Sequence, residues 1–445
     1  MDSKPSIVMI LTDDLGYGDL SCYGQKTWTT PNLDRMAAEG VRFTSFYTTS
    51  PVCSPARTSL LTGLHSGHLC IRQLSDAFLP DDAPTIPRRL APRGYTSACI
   101  GKYGVGDGQP HVDALRKGFD YHYGYNCMRH AHNYFPPFLR ENGLKVVLRN
   151  RPPAEDEKQW RTGVGVAEEK VDYSPDFIEN KALAFLEAHR DEPFFLYYCP
   201  TMPHANNEGW TQERQTPDGM EVDTYGEFED RDWLPNEKGF ARMIQRIDIT
   251  VGRMLDKLDE LGIADNTLVL FSSDNGPHNE GGHSVTRFDS SGGFQGYKRS
   301  LHEGGIRVPL IARWPGHIRA GRTTDLQAYF PDLISTLCDY AGAAAPEVTD
   351  GFSLAEVLTG DEAAQQRHEH LYFEYRGQLA VRRGQMKYYR DAEGNEALYD
   401  LEADRHEDRD IKDDHPDVFN ALRDIAAVEH EDYAPFEVPG GQVYE

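Results

Sequence analysis

The sequence predicts an α/β protein in which a large, mostly parallel sheet flanked by helices precedes a smaller C-terminal α+β domain. Strand-like and helix-like segments alternate through the first three quarters of the chain, which is the pattern of an α/β sheet. Near residue 360 this alternation gives way to four short strand-like runs and one helix. With 445 residues, including 23 tyrosines and 20 phenylalanines, the chain can bury a sizeable core rather than remain disordered.

Buried strands are predicted where short apolar, β-branched runs occur, beginning with SIVMILT at 6–12. The further strands are expected at 95–100, 194–199, 267–273 and 308–313. Helices are expected where apolar residues recur at helical spacing between start and stop signals, at 31–39, 85–92, 175–190, 239–261 and 331–341. The stretch 281–305 is rich in glycine, serine and charge and is predicted to be a loop region.

The C-terminal part is predicted to hold a small antiparallel sheet and a last helix. Its strands are expected at 371–375, 379–383, 387–390 and 397–401, and its helix at 416–430. The turn Glu393-Gly394-Asn395 joins the last two strands, because glycine and asparagine tolerate positive φ. We therefore predict a main domain at 1–360, which carries the candidate site described below, and a C-terminal subdomain at 361–445.

The net charge of −25 disfavours nucleic acid and anionic membranes as partners, since an acidic surface repels both. No apolar run is long enough to span a membrane. Strand-like sequence begins at Ile7, where a signal peptide would otherwise lie. We expect a bacterial protein of the periplasm or the cell exterior that has lost its leader, with the cytoplasm as the alternative. Seven cysteines do not suggest a disulfide framework, and Cys99 and Cys199 are expected to be buried free thiols.

The segment Cys53–Gly63, CSPARTSLLTG, is the most informative part of the chain. A helix is expected to begin at Ser54 or Pro55, because serine is a good N-cap and proline is accepted in the first turn. Cys53 would then face the positive end of the helix, with Arg57 on the same side one turn later. This combination suits attack on an anionic ester. A buried structural cysteine is the simpler interpretation, but it does not explain the proline, the arginine and the Thr-Gly ending together.

Two pairs of oxygen-bearing residues directly follow predicted buried strands. Asp13-Asp14 follows the strand at 6–12, and Asp274-Asn275 follows the strand at 267–273. Ligands in open α/β sheets bind at the carboxyl ends of strands, so both pairs can converge on one crevice. Oxygen ligands without thiolate or imidazole suit Ca²⁺, or less well Mg²⁺, whereas a zinc site would usually include histidine. A single such pair is more often an exposed turn.

Together these motifs resemble the formylglycine-dependent sulfatases of the alkaline phosphatase superfamily. The core of that family's signature is Cys, a small hydroxyl residue, Pro, a small residue and Arg, as at Cys53–Arg57. The resemblance implies an alkaline phosphatase-like fold. It also implies that a formylglycine-generating enzyme oxidises Cys53 to an aldehyde whose hydrate is the nucleophile. The metal ligands implied by the resemblance are Asp13, Asp14, Cys53, Asp274 and Asn275.

The resemblance assigns roles to three more residues. Lys102 and Lys298 stand where the family has the lysines that contact the sulfate, and His204 stands where it has the histidine near the leaving-group oxygen. With Cys53 and Arg57 they form the predicted catalytic set. Arg57 and the two lysines would neutralise sulfate oxygens, and His204 would protonate the departing oxygen.

One position departs from the family pattern. Many sulfatases have a histidine two residues after the first lysine, where this chain has Gly104. We expect Gly104 to leave space beside the nucleophile and His278 to be a substitute contact. Some sulfatase branches that act on sulfated sugars share this glycine, which favours a carbohydrate substrate. Further substrate contacts are predicted in loops, because loops carry specificity: His65, His68, Arg72, Arg129, His130, His132, His283, Arg287 and His302.

The predicted function is hydrolysis of a sulfate ester at the exposed end of a sulfated carbohydrate, the substrate being a small-molecule or oligosaccharide sulfate. One alternative is a phosphoester or phosphonate monoester hydrolase of the same superfamily. Another is a non-catalytic protein that binds sulfated glycans, if Cys53 is never converted.

Overall fold

The computed structural model describes residues 4–74, 79–105, 113–153, 156–213 and 215–432. The strands in this part are β1 Ser6–Thr12, β2 Val41–Phe43, β3 Phe46–Tyr47, β4 Thr96–Lys102, β5 Tyr121–Tyr125, β6 Phe138–Glu141, β7 Leu144–Val147, β8 Phe194–Cys199, β9 Thr267–Ser273, β10 Leu310–Arg313, β11 Arg322–Thr324, β12 Ala328–Tyr329, β13 Leu371–Tyr375, β14 Gln378–Arg383, β15 Met386–Arg390 and β16 Glu396–Asp400. The helices are α1 Pro31–Ala38, α2 Cys53–Thr62, α3 Ile86–Leu90, α4 Glu157–Trp160, α5 Ser174–Ala188, α6 Pro235–Glu260, α7 Glu303–Ile306, α8 Pro331–Ala341, α9 Ala355–Thr359 and α10 Pro416–Val428. In the described residues, no helix combines the length and the apolar character needed to cross a bilayer.

The main sheet has ten strands in the order β11-β2-β10-β9-β1-β8-β4-β5-β6-β7. From β9 to β5 the neighbours are parallel, whereas β10 and β6 run antiparallel to the strands beside them. Strand β1 is buried on both faces: Val8 and Ile10 belong to one core cluster, and Ile7 and Met9 to another. Helices α1, α5 and α6 contribute to the first cluster, and α2, α3 and α8 to the second. This confirms the predicted α/β fold with a mixed, mostly parallel sheet.

The C-terminal strands β13–β16 form a four-stranded antiparallel sheet in chain order. This small sheet packs against the main part, because Leu371 and Phe373 share a buried cluster with Tyr47 and Leu301. Below the cluster, Glu303 accepts a hydrogen bond from Lys387 Nζ at 3.0 Å. The predicted boundary at residue 361 stays a prediction, and the last part of the subdomain, 433–445, lies outside the described residues.

The elements that sequence patterns predicted to the residue are β1, β8, β9, β13 and α8, which are mostly buried and rich in apolar or aromatic residues. The short strands β2, β3, β5–β7, β11 and β12 and the helices α4, α7 and α9 were not predicted. Strand β5 has the sequence YHYGY; its tyrosines favour a strand, but its histidine and glycine interrupt the apolar run that was used as the strand signal. Gly124 is required there, since a Cβ at this position would lie 2.2 Å from the carbonyl oxygen of Gly101 on β4. Cys99 and Cys199 are buried free thiols, as predicted.

Candidate active site

The predicted metal-ligand pairs meet because β1 and β9 are parallel neighbours. Thr12 is paired with Ser273 at the ends of the two strands, so Asp13-Asp14 and Asp274-Asn275 leave the sheet side by side. The backbone N–H of Asp14 donates to Asp274 Oδ1 at 3.1 Å. Asp14 has a φ of 66°, an uncommon conformation for a non-glycine residue that concentrates at functional sites.

Helix α2 places Cys53 and Arg57 against these carboxylates. It begins at Cys53, and its N-cap Val52 provides no side-chain cap, so the predicted start at Ser54 or Pro55 was one to two residues late. Cys53 Sγ lies 3.3 Å from Asp13 Oδ1. Arg57 Nε donates to Asp274 Oδ2 at 2.8 Å, and a second guanidinium nitrogen of Arg57 donates to the carbonyl of Lys102 at 2.7 Å.

Two lysines and one histidine complete the cluster. Lys102 Nζ donates to Asp13 Oδ2 at 2.6 Å, and Lys298 Nζ donates to Asp14 Oδ2 at 2.7 Å. His204 Nδ1 lies 2.7 Å from the carbonyl of Ala205, which places a proton on Nδ1 and leaves Nε2 as an acceptor. That Nε2 lies 3.1 Å from Lys298 Nζ. Each carboxylate therefore faces a cation, and the histidine faces the same space.

Burial and nearby charges set the protonation states. Burial would raise the pKa of Asp13, but Lys102 and the neighbouring cations hold that pKa well below its usual value. Burial raises the pKa of Asp274 to about 7, with the Asp13 charge as the next cause. Burial, then Asp13 and Asp274, also hold the pKa of the Cys53 thiol well above its usual value. Since the thiolate is the reactive form, Cys53 itself is a poor nucleophile here.

The oxygen-bearing residues fit a hard divalent cation. Asp13, Asp14, Asp274 and Asn275 are fully buried. Asn275 Nδ2 donates to Asp14 Oδ1 at 2.7 Å, whereas its Oδ1 is buried and has no hydrogen-bond partner among the described residues. A buried polar atom without a partner is costly, and a bound ion is one way of satisfying it. The set of carboxylate oxygens and one amide oxygen is the kind that Ca²⁺ and Mg²⁺ prefer.

A cavity of about 250 Å³ reaches this cluster. Its inner part is lined by Cys53, Lys102, His204 and Lys298. Arg57, although predicted to touch the sulfate, is not among the lining residues, because it is fully buried behind the cavity and held by Asp274. Three of the four predicted anion-binding groups thus face one space, and Arg57 instead orients Asp274.

The outer wall of the cavity is formed by six residues from four segments of the chain: Leu74, Met128, Arg129, His132, Asn207 and Arg299. Arg129 and His132 were among the predicted substrate-facing residues, and the His132 ring stacks on His204 with 4.7 Å between centroids. Asn207 and Arg299 were not predicted. They are connected through Glu280, which accepts from Asn207 Nδ2 at 3.1 Å and pairs with Arg299. Only the Gly-Pro-His-x-Glu pattern at 276–280 gave a local signal for this arrangement.

Four of the predicted substrate contacts lie in structural positions away from this cavity. His65 Nε2 lies 3.2 Å from Glu429. Arg72 donates to the carbonyl of Leu69 at 2.8 Å. His130 is buried, with Nε2 2.9 Å from the carbonyl of Phe138. His302 Nδ1 lies 3.3 Å from Glu407. None of the four is among the residues that line the cavity. The acceptors of His65 and His302 come from distant parts of the sequence, whereas those of Arg72 and His130 are nearby.

Four further predicted contacts, His278, His283, Arg287 and His68, also have other positions. His278 is buried, its Nε2 lies 2.9 Å from the carbonyl of Pro203, and its Nδ1 accepts from the Glu280 N–H at 3.1 Å. It therefore fixes the loop that carries His204 rather than replacing the missing histidine. His283 stacks on Phe240 at 3.7 Å, and Arg287 pairs with Glu237 at 3.0 Å. His68 pairs with Asp350 at 2.9 Å and is likewise not a lining residue.

Gly104 does not leave space beside the nucleophile, contrary to the prediction. Its φ is +72°, and an added Cβ would lie 2.5 Å from Cδ of Arg57. The Arg57 side chain occupies the volume that a larger residue at 104 would need. Glycine at this position therefore permits the buried arginine to reach Asp274.

The fold and this site define an enzyme of the α/β class that hydrolyses anionic esters, with a carboxylate cluster for a divalent metal beside a cationic cavity. A family model described as Sulfatase matches residues 5–343, and a model for the C-terminal region of N-sulphoglucosamine sulphohydrolase matches residues 292–425. The chain belongs to the sulfatase family, and the protein is a sulfuric ester hydrolase.

Relatives and solved structures agree with this assignment. Arylsulfatase A of Homo sapiens is 33% identical over 416 residues, which cover 86% of this chain and 74% of the relative. N-acetylgalactosamine-6-O-sulfatase of Bacteroides thetaiotaomicron is 28% identical over 504 residues, with 95% and 92% covered. A solved sulfatase structure connected with glycosaminoglycan metabolism by Bacteroides thetaiotaomicron has a TM-score of 0.78 at 25% identity, covering 96% of this chain and 100% of that one. The predicted alkaline phosphatase-like fold and family are confirmed.

Proposed function

We propose that this sulfatase removes a sulfate group from the exposed end of a sulfated carbohydrate, using a formylglycine made from Cys53 and a bound Ca²⁺. The observation that carries the proposal is the position of Cys53 at the inner end of a cavity with Lys102, Lys298 and His204 around it. The relatives with N-acetylgalactosamine-6-sulfate specificity in their names support a sugar substrate.

The chain's own residues bind and orient the sulfate. When bound, the metal held by Asp13, Asp14, Asp274 and Asn275 would supply fixed positive charge beside the reacting group. Lys102 and Lys298 donate hydrogen bonds from the cavity wall, and charges fixed in advance are worth about 10²–10³ in rate each.

The proton for the leaving oxygen comes from His204. Burial, with Lys298 as the next cause, lowers the pKa of His204 to about 3, so its Nε2 is unprotonated before substrate enters. A sulfate anion in the cavity favours the charged imidazolium, so Nε2 takes up a proton from solvent and then gives it to the departing sugar oxygen. Lys298 Nζ, 3.1 Å away, keeps its own proton, because burial would lower the lysine pKa but Asp14 raises it above its usual value.

Ca²⁺ is proposed over zinc because the unpartnered donor is an amide oxygen and the carboxylates surround it. A formylglycine-generating enzyme is the proposed maturation partner, since the Cys53 thiol is protonated and unreactive as it stands. Action in the periplasm or outside a bacterial cell remains a proposal that rests on the substrate class.

Attack at a chain end is proposed from the shape of the site. The six outer residues come from four segments of the chain, around 74, 128–132, 207 and 299, that line the approach to Cys53. A wall on several sides admits a terminal sugar more readily than the middle of a polymer.

The test combines the mass of the peptide containing position 53 with a substrate panel. We expect the purified enzyme to show an aldehyde in place of the thiol, and to hydrolyse sulfated mono- and oligosaccharides, with Cys53→Ala as the inactive control. Rapid turnover of an aryl sulfate with none of any sugar would overturn the carbohydrate assignment. Release of sulfate from inside a long polymer would overturn the chain-end part. Faster hydrolysis of a phosphonate monoester would favour the alternative reaction.

A further inference from the structure

Arg129 is an exposed arginine on the wall of the cavity. Within the described residues its side chain makes no hydrogen bond and no ion pair, while its carbonyl accepts from the His132 N–H at 3.2 Å. The chain has 71 acidic and 46 basic residues, yet no carboxylate of the described part pairs with this guanidinium. An uncommitted guanidinium beside an anion-binding cavity is available to a ligand.

The other cations of the cavity are already engaged. Lys102 pairs with Asp13 at 2.6 Å and Lys298 with Asp14 at 2.7 Å. Arg299 pairs with Glu280. The charge of Arg129 is therefore the one among the described lining arginines and lysines that no carboxylate of the protein balances.

The backbone at Arg129 is held in place by its neighbours. His130, buried directly after it, contacts the carbonyl of Phe138 at 2.9 Å and the ring of Tyr125 edge-on at 4.9 Å. Gly163 closes over the same ring, since a Cβ there would lie 2.3 Å from His130. A fixed backbone keeps Arg129 at the cavity wall, so that binding has to order only its side chain.

We propose that Arg129 binds a second negatively charged group of the substrate, a carboxylate or a second sulfate, on the terminal sugar or on its neighbour. The inference rests on the proposed function, in which the first sulfate lies beside Cys53. Guanidinium groups suit both anions, because their paired N–H donors match two oxygens of a carboxylate or sulfate. The enzyme would thus prefer a doubly charged sugar to a singly charged one.

The experiment compares kcat/KM for three substrates that share one sulfated sugar. They are the monosulfated N-acetylhexosamine, the same sugar with a second sulfate, and a disaccharide that links the monosulfated sugar to a uronic acid. The wild type should prefer at least one doubly charged substrate, and Arg129→Gln should reduce that preference about 10- to 100-fold, mostly through KM, as expected for hydrogen bonds to a charged group. The preference should also shrink in high salt, and Arg129→Lys should keep part of it.

Arg319 provides the matched control. It is an exposed arginine that follows β10. Leu310, at the start of β10, pairs with Ser272 near the site, whereas Arg313, at its end, pairs with Val269. The chain therefore runs away from the site along β10, and residue 319 lies towards the opposite ends of the strands. Arg319→Gln should leave the preference unchanged. The two doubly charged substrates distinguish a sulfate from a carboxylate as the second anion.

Hydrolysis of the monosulfated sugar with equal kcat/KM for all three substrates would overturn the assignment of Arg129 while leaving the proposed function intact. An unchanged preference in Arg129→Gln would overturn it as well. If the wild type hydrolyses an aryl sulfate but none of the three sugars, the proposed function and this inference both fail.

Discussion

Replacing Gly104 with alanine should displace Arg57 and remove activity. The added Cβ would lie 2.5 Å from Cδ and 2.9 Å from Nε of Arg57. Arg57 is fully buried and held by Asp274 at 2.8 Å and by the carbonyl of Lys102 at 2.7 Å. The arginine can therefore make room only by leaving these partners, and Asp274 would lose the cation that orients it.

The cost can be worked out from two contributions. Gly104 has a φ of +72°, and a residue with a Cβ in this region costs about 1 kcal/mol. Breaking a buried ion pair by moving one partner costs about 3–5 kcal/mol, because a charge is left uncompensated. The free energy of unfolding should therefore fall by about 4–6 kcal/mol, taking the two contributions as additive.

Gly262→Ala separates the two contributions. Gly262 has a φ of +70°, and its added Cβ meets nothing within 4 Å. Urea unfolding and kcat/KM on an aryl sulfate are measured for both variants. Gly262→Ala should lose about 1 kcal/mol and keep its activity, whereas Gly104→Ala should lose several kcal/mol more and at least about 10²-fold in kcat/KM. Equal losses in both variants, with activity retained, would refute the role given to Gly104.

Four further outcomes follow from the site. Cys53→Ala should abolish turnover with the unfolding midpoint nearly unchanged, because the thiol contacts carboxylates rather than the core; wild-type rates would exclude the formylglycine. Lys298→Ala should lower kcat about 10²–10³-fold on an aryl sulfate, and a loss confined to KM would remove its assigned role. EGTA should inactivate the enzyme and Ca²⁺ restore it; recovery with Zn²⁺ alone would contradict the oxygen-ligand assignment around Asn275. The pKa of His204 is lowered to about 3 from an ordinary value near 6.5, so as the pH falls the unfolded chain binds this proton before the folded protein does. The free energy of unfolding therefore decreases below about pH 6.5, by up to about 1.4 kcal/mol per pH unit. In urea unfolding, His204→Asn should lose less stability than the wild type between pH 7 and pH 4.5, and equal losses would contradict the lowered pKa.

The metal-ligand pairs could be predicted because their positions depend on strand ends alone. Strands β1 and β9 have apolar residues at their centres. Their parallel pairing brings Asp13 and Asp274 together independently of the loop conformations. Lys102, His204 and Lys298 were assigned to the site only because the sequence around them resembles the family. The local sequence around a single lysine or histidine does not indicate whether its side chain faces a site or the solvent.

The loop histidines could not be placed because their partners are remote. His65 contacts Glu429 and His302 contacts Glu407, and both acceptors belong to the C-terminal part of the chain. Nothing near either histidine in the sequence indicates that pairing. For the same reason, the volume at Gly104 was misjudged: it is filled by Arg57, which the sequence places 47 residues earlier.

Because Cys53 is buried in the folded protein, its proposed conversion to formylglycine would have to precede folding. The side chain is 2% exposed, and every residue of α2 is buried, so a modifying enzyme cannot reach the thiol in the folded protein. The residues that enclose it, Asp274 and Lys298, are synthesised more than 200 residues after it. At about 5–20 residues per second, that stretch takes on the order of 10–40 s to make. The formylglycine proposed above would therefore have to be made before the chain is complete and folded, and we expect a molecule that folds with an intact thiol to be inactive.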